Sequence, residues 1–154
     1  MNKKPEMDQR RSLRLKEYDY TQPGAYFITI VTQNRSFLFG NIIDGEMHLN
    51  DAGRVVQSLW DEIPTHFPNS DMGAFVVMPN HVHGIIIINN ATTVGATHAS
   101  PLHDHGAPLR NDKPKGPEPQ SIGAIIGSFK SAVTNRINKM RNAPGARTLA
   151  AQLL

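Results

Sequence analysis

Two histidines, His81 and His83, stand one residue apart at the start of an apolar run, in the stretch MPNHVHGIIII. Alternate residues of a β-strand project from the same face, about 6.5–7 Å apart along the backbone, so both imidazoles would share one face of a strand. Two imidazoles at that spacing can bind one divalent cation if a further ligand comes from elsewhere. The pair is therefore a candidate metal site whose coordination a substrate phosphate could complete.

A His-x-His pair is weakly specific when it stands alone, because histidines at a strand edge often only hydrogen-bond to their neighbours. A second cluster, His103 and His105 with His98 nearby, lies in a segment rich in glycine and proline. Such a segment does not easily hold side chains rigidly around an ion. We therefore favour His81 and His83 as metal ligands and interpret His98, His103 and His105 as incidental.

The length and composition of the chain limit the class of protein. A chain of 154 residues with 39% apolar and 19% charged residues predicts about one globular domain. No stretch approaches the roughly 20 apolar residues of a membrane span, and the basic N-terminus lacks an apolar signal core. The chain has no cysteine, which excludes disulfides and fits a cytoplasmic protein.

The positive charge is concentrated at the two ends of the chain. The net charge is +3, yet residues 121–154 hold five lysines and arginines and no carboxylate. Residues 1–20 hold six lysines and arginines against four carboxylates. Two basic ends suit a polyanionic partner, although solvated cations on an ordinary surface would give the same distribution.

The apolar pattern predicts the strands that must position the histidines. Residues 26–32 alternate and predict a strand, and Asp44-Gly45 predicts the turn of a tight hairpin. Residues 74–88 predict two further strands that turn at Pro79-Asn80. The second of these is apolar on both faces beyond Gly84, as expected for a central strand.

Two helices and a loop complete the predicted order. Asn50 is an N-cap candidate for a helix that Pro64 would end, and Ser121 is an N-cap candidate for a second helix. Residues 90–120 are rich in Gly, Pro, Ser, Thr and Asn and predict a flexible loop. We predict an α+β fold in which helices pack on one face of an antiparallel sheet of four to five strands.

Four stretches in the predicted order resemble the HUH single-tyrosine transposases, the insertion-sequence and REP-associated enzymes that act on single-stranded DNA. MPNHVHGIIII is similar to their His-hydrophobic-His signature, and SIGAIIGSFKSAVTNRIN to the helix after their variable loop. RRSLRLKEYDYTQPGAYFITIVTQNR resembles their first strand with the segment before it, and LNDAGRVVQSLWDEIP their first helix. The resemblance covers roughly residues 10–142 and implies an HUH-nuclease, ferredoxin/RRM-like fold. We divide the chain into a basic segment, 1–20, and a transposase-like domain, 21–142.

The resemblance also implies a mechanism. In that family a tyrosine attacks a DNA phosphodiester and leaves a 5′-phosphotyrosine link, which conserves the bond energy for rejoining. A cation, Mg²⁺ or Mn²⁺, held by the histidine pair polarises the phosphate. Carried over to this chain, the metal ligands would be His81 and His83, and we interpret Phe129 as a helix-core residue rather than a base-stacking one. The residues that would lie along a single-stranded DNA hairpin are Arg10, Arg11, Arg14, Lys130 and Arg136.

The chain departs from the family near its C-terminal end. The nucleophile would lie after the second helix in a motif resembling VWQRNYYEH, where this chain reads RTLAAQLL, and its tyrosines are Tyr18, Tyr20 and Tyr26. One permitted codon choice for RTLAAQLL, read one base later, encodes Val-Leu-Trp-Gln-Arg-Asn-Tyr-Tyr. We hypothesise that a single-base shift near Ala146 made residues 143–154 an out-of-frame tail, which predicts a catalytically defective copy.

Three functions remain open at this point. The first is a DNA transposition protein, defective in strand nicking and transfer, that binds hairpin-containing single-stranded DNA. The second is a non-catalytic DNA-binding module or repressor. The third is a metal-dependent phosphodiesterase in which bound water replaces tyrosine. The sequence leads us to expect a cytoplasmic, nucleoid-associated protein without a membrane partner, either a homodimer or a monomer.

Overall fold

Residues 18–89 and 117–150 are the part of the chain that the structure, a computed structural model, describes. They form an α+β fold, as the sequence predicts. The strands are β1 (Gly24–Val31), β2 (Gly40–Ile43), β3 (Glu46–Leu49), β4 (Ser70–Met78) and β5 (His81–Ile88). The helices are α1 (Asp51–Asp61), the short α2 (Ile63–His66) and α3 (Ile122–Met140), and a 3-10 turn spans Gln33–Arg35.

The main sheet has three antiparallel strands in the order β1-β5-β4. The histidine strand β5 is central, as its apolar run predicts, and His83 pairs with Thr29 on one side and Val76 on the other. His81 likewise lies between Val31 and Met78. This register fixes which side chains surround the two imidazoles.

The number of strands among the described residues equals the upper limit of the prediction, but these strands form two separate sheets instead of one. Strands β2 and β3 pair only with each other, around a turn in which Asp44 and Gly45 have positive φ angles of 51° and 85°. The hairpin is anchored where the Phe39 amide donates to the Pro79 carbonyl at 3.0 Å. Because that anchor is the β4–β5 turn and not a strand edge, the hairpin continues from the end of the main sheet and does not widen it.

Both predicted N-caps are present. The Asn50 side chain accepts a hydrogen bond from the Gly53 amide at 3.0 Å, and the Ser121 hydroxyl accepts one from the Ala124 amide at 3.2 Å. These bonds satisfy amide groups that have no partner within the helix. Pro64 does not end α1, which stops at Asp61; it lies at the start of α2, where a proline needs no amide donor.

The two long helices cover one face of the main sheet. The buried apolar residues of α3 form a stripe along one side of the helix, and Phe129 is among them, as predicted. Trp60 of α1 stacks on Phe75 at 4.3 Å between ring centroids and lies against Gly84 of β5. A Cβ atom at Gly84 would come within 2.3 Å of the indole ring. The glycine therefore lets α1 approach the central strand, next to His83 in sequence but on the other side of the sheet.

The chain after α3 returns to the end of β1. Asn138 holds this return, since its amide donates to the Ala146 carbonyl at 2.8 Å and its oxygen accepts from the Thr148 hydroxyl at 2.9 Å. Leu149 forms an isolated antiparallel bridge with Thr32, and the Ala150 amide donates to the Val31 carbonyl at 2.8 Å. The described part of residues 143–154 thus packs on the domain, while its out-of-frame origin remains a hypothesis.

Several predictions concern residues outside the described ranges. These are the DNA contacts Arg10, Arg11 and Arg14, the histidines His98, His103 and His105, and most of the predicted flexible loop. Among the helices of residues 18–89 and 117–150, none is both long and apolar enough to cross a membrane.

Candidate nucleic-acid interface

The two histidines lie on the face of the main sheet that the helices leave open. Exposure alternates along β5, so Val82 and Gly84 are buried beneath the helices while His81 and His83 are half-buried on the other side. The imidazole centroids are 4.7 Å apart, with the ring planes at 76°. The shared face predicted from the strand spacing is therefore present, and metal binding stays a prediction.

Each imidazole is held through its Nδ1 atom. The Nδ1 atom of His81 lies 2.7 Å from the side-chain oxygen of Asn80, which can only accept, so this nitrogen carries the proton and donates. The Nδ1 atom of His83 lies 2.8 Å from the hydroxyl of Thr29, on the neighbouring strand. When His83 Nδ1 donates to that hydroxyl, both Nε2 atoms carry a lone pair. These partners orient the rings in the way that metal-binding histidines are usually oriented.

The protonation state of His81 favours ligand chemistry. Burial lowers the pKa of His81 below its ordinary value, and the neighbouring charge of His83 lowers it further. A lowered pKa keeps the imidazole neutral at neutral pH, the form that donates a lone pair to a cation.

The two imidazoles fit a divalent cation, but they would supply only part of its ligands. Within residues 18–89 and 117–150, no group of three His, Cys, Asp or Glu side chains is arranged to hold a metal ion. A cation bound by the two imidazoles would keep most of its coordination positions open to water or to phosphate oxygens. Imidazole nitrogen suits Mn²⁺ and later transition metals better than Mg²⁺, which prefers oxygen ligands.

An exposed phenylalanine that the sequence analysis did not single out lies beside the histidines. Phe27 of β1 is 62% exposed, and its ring stacks on His83 at 5.4 Å between centroids and 21° between planes. The alternation of AYFITIV places Phe27 and Thr29 on one face of a strand, so the sequence held part of this signal. Which face the helices cover, and which strand pairs with β5, could not be deduced from it.

The three tyrosines cluster away from the histidine face. Their ring centroids are 4.9–6.5 Å apart, near the first residues of β1. Tyr26 pairs with Ile86, on the helical side of the sheet, and its hydroxyl donates to the Gln22 carbonyl at 2.7 Å. Burial is the largest cause that raises the pKa of Tyr26 to about 12. This phenol is therefore neither on the histidine face nor readily ionised.

The two described basic residues of the predicted DNA contacts lie in different places. The Lys130 ammonium donates to the Ala150 carbonyl, beside the chain that returns to β1. Arg136 is exposed on α3 and lines a groove against α1, together with Lys139 and Glu62. That groove belongs to the helical layer, so the sheet separates Arg136 from the histidine pair.

Comparisons with known proteins show a relative and a shared fold. No protein-family model matches the chain. An uncharacterized protein of Haemophilus influenzae is 43% identical over 130 residues, which are 84% of this chain and 69% of that protein. A solved structure of a REP-associated tyrosine transposase bound to a REP hairpin is similar with a TM-score of 0.55 at 12% identity. The similarity covers 92% of this chain and 60% of that chain, and at this identity it establishes the fold alone.

Proposed function

The chain belongs to the same protein family as the Haemophilus influenzae protein, and we propose that it is a transposase-type DNA-binding protein for hairpin-containing single-stranded DNA. The observation that carries this proposal is the pair of adjacent imidazoles on an open sheet face, each hydrogen-bonded at Nδ1, an arrangement in which Nε2 would be the atom that binds a cation. The transposase with the same fold binds a hairpin of DNA, which supports the same kind of partner here.

Different residues would have different roles in binding a phosphate. His81 and His83 would hold Mn²⁺ or Mg²⁺ through Nε2, while Thr29 and Asn80 keep the rings in position. When bound, the cation polarises the phosphate and offsets its negative charge. The exposed cations of α3 would add attraction that does not depend on sequence.

We expect this chain to bind DNA without a covalent link from any of its three tyrosines. Tyr26 lies on the opposite side of the sheet, and its raised pKa, about 12, opposes the ionised form that attacks phosphate. Tyr18 and Tyr20 pack with it, before β1 begins. The nucleotide sequence past codon 145 tests the frameshift hypothesis, since codons that yield no tyrosine motif in a shifted frame would end it.

A hydrolytic phosphodiesterase is the second candidate. The observation that favours it is the small number of protein ligands among the described residues, because a cation held by the two imidazoles would have open positions for water. Water bound to a metal loses a proton more easily than free water and can attack a phosphate.

One experiment separates these functions. A labelled single-stranded DNA hairpin is incubated with the protein and Mn²⁺, then analysed by fluorescence anisotropy and on a denaturing gel. Binding without cleavage supports the proposal, and cleavage without a protein–DNA adduct supports hydrolysis. An adduct that survives denaturation would show that a tyrosine is used after all, and no binding would overturn all the DNA functions.

The control removes the imidazoles and leaves the rest of the surface intact. In the double variant His81→Ala with His83→Ala, the increase in DNA affinity caused by Mn²⁺ should disappear. Much of the salt-sensitive affinity should remain, because contacts between cations and phosphates supply it. Loss of both components would place the histidines in a structural role instead.

A further inference from the structure

We propose that Phe27 and His83 form a stacking platform, on which an unpaired base of the single-stranded DNA stacks. This inference rests on the proposed function and names the part of the nucleotide that the open face would take. A phosphate would lie at the histidine pair, and a base from the same strand would extend the ring stack of His83 and Phe27 by one layer.

The exposure of Phe27 is the first observation. Its chain neighbour Ile28 is 3% exposed, while the Phe27 ring is 62% exposed on a strand of the main sheet. A large apolar ring in water loses the favourable free energy that its burial would give. The ring stacks on the neighbouring imidazole with 5.4 Å between the centroids, and its 62% exposure leaves area for a planar partner.

The cross-strand neighbours of the ring carry no full charge, so they neither repel nor attract a phosphate. Three rows of cross-strand neighbours connect Phe27 to the histidines, and they include no carboxylate, lysine or arginine. An approaching phosphate therefore meets no negative charge there, and direct ion pairs cannot supply the affinity. The rows consist of Phe27 and Ile85, then Thr29, His83 and Val76, then Val31, His81 and Met78.

These features match a nucleotide with an accessible base. An unpaired base offers an aromatic face that stacks on phenylalanine whatever its identity, whereas a paired base is already covered by its neighbours. The Nε2 atoms of His81 and His83, near the Phe27 ring, would bind a cation that in turn binds the phosphate. Apolar stacking and phosphate binding thus lie side by side on one surface, as the two parts of a nucleotide do.

The test compares a short single-stranded oligonucleotide with an abasic oligonucleotide of the same length, in the presence of Mn²⁺. Phe27→Ala should weaken binding of the normal strand by about five- to tenfold, the lower part of the range for one base on an aromatic ring. The same variant should bind the abasic strand as the wild type does. Phe37→Ala is the matched control, because Phe37 is 71% exposed but lies outside the strands of the main sheet.

Two further variants separate stacking from bulk. Phe27→Leu keeps an apolar side chain without a ring face and should lose affinity as Phe27→Ala does. Phe27→Trp should restore the affinity, and the fluorescence of the introduced indole should be quenched when the normal strand binds. Thermal unfolding should give the same midpoint for all of them, because the ring is mostly outside the core.

Three results would overturn the platform. Equal affinity of the wild type and Phe27→Ala for the normal strand would do so, as would an equal loss on both strands. A dimer that Phe27→Ala dissociates without any change in DNA affinity would show that this face joins two copies. If the wild type bound neither strand, the proposed function itself would fail, whereas histidine-dependent binding that ignores Phe27 would remove only the platform.

Discussion

Two surfaces of this molecule could meet DNA, and they would do so through different physical interactions. The open sheet face combines two imidazoles with an exposed ring and has no fully charged side chain between them. The groove between α1 and α3 carries Arg136 and Lys139 on the opposite side of the sheet. The first surface depends on a cation and on stacking, and the second depends on charge.

These two surfaces lie on opposite sides of the sheet, so the position of the basic residues of α3 does not indicate the position of the histidine pair. A strand that touched both surfaces would have to pass around the edge of the sheet. The two contributions should therefore respond to different conditions, the sheet face to Mn²⁺ and the helical groove to salt.

The largest effect is expected from a substitution at the contact between α1 and β5, because this contact supports both surfaces. Gly84→Ala would place a methyl group 2.3 Å from the Trp60 ring, so the helix or the strand must shift. We expect the free energy of unfolding to fall by about 1–3 kcal/mol, which urea denaturation would measure. Gly127→Ala is the matched control, because its Cβ would meet no atom within 4 Å. Gly127→Ala, inside α3, should raise the free energy of unfolding by about 0.4–1 kcal/mol. Equal stability of the Gly84→Ala and Gly127→Ala variants would contradict the close contact between Gly84 and Trp60.

The second effect weakens only the sheet face. Thr29→Val removes the hydroxyl 2.8 Å from His83 Nδ1 and nearly conserves the side-chain volume. The affinity for Mn²⁺, measured by isothermal titration calorimetry, should fall by about tenfold because the ring loses its orienting partner. DNA binding without Mn²⁺ should be unchanged. An unaltered Mn²⁺ affinity would mean that Thr29 does not position the imidazole.

The third effect weakens only the helical groove. Arg136→Ala should lower the slope of log affinity against log salt by about 0.7 for single-stranded DNA, provided that Arg136 touches one phosphate. The increase in affinity caused by Mn²⁺ should be the same as in the wild type. If Arg136→Ala instead removed the Mn²⁺ effect, the two surfaces would be coupled.

The smallest effect is a dependence of stability on pH that comes from the sheet face. His81 has a pKa lowered from 6.5 in the folded protein, so the unfolded chain takes up its proton first as pH falls. The contribution to stability is therefore present above pH 6.5 and decreases as pH falls below that value. His81→Gln should reduce this decrease in the thermal unfolding midpoint, whereas a profile equal to that of the wild type would remove His81 as a cause.

The sequence predicted the features that depend on nearby residues. The turn at Asp44-Gly45, the caps Asn50 and Ser121 and the shared face of the histidines follow from local backbone chemistry, and all are present. Features that depend on distant pairing could not be deduced in the same way. The bond from Phe39 to the β4–β5 turn separates the two sheets, and the register of β1 on β5 brings Thr29 to His83.

The position of α3 explains why its basic residues were harder to place. Its apolar stripe predicts which side is buried, but not which neighbour its remaining sides meet. The structure places Arg136 against α1 and Lys130 beside the returning chain, so these two cations of one helix lie in different surroundings.

Trp60 is the single indole of the chain, and it lies directly beneath the strand that carries both imidazoles. Its emission should therefore be blue-shifted while helix and strand stay together, and should move to longer wavelength when water enters. Because bound DNA would approach from the other side, this intrinsic signal should distinguish a damaged surface from a lost fold in every variant whose one tryptophan is Trp60.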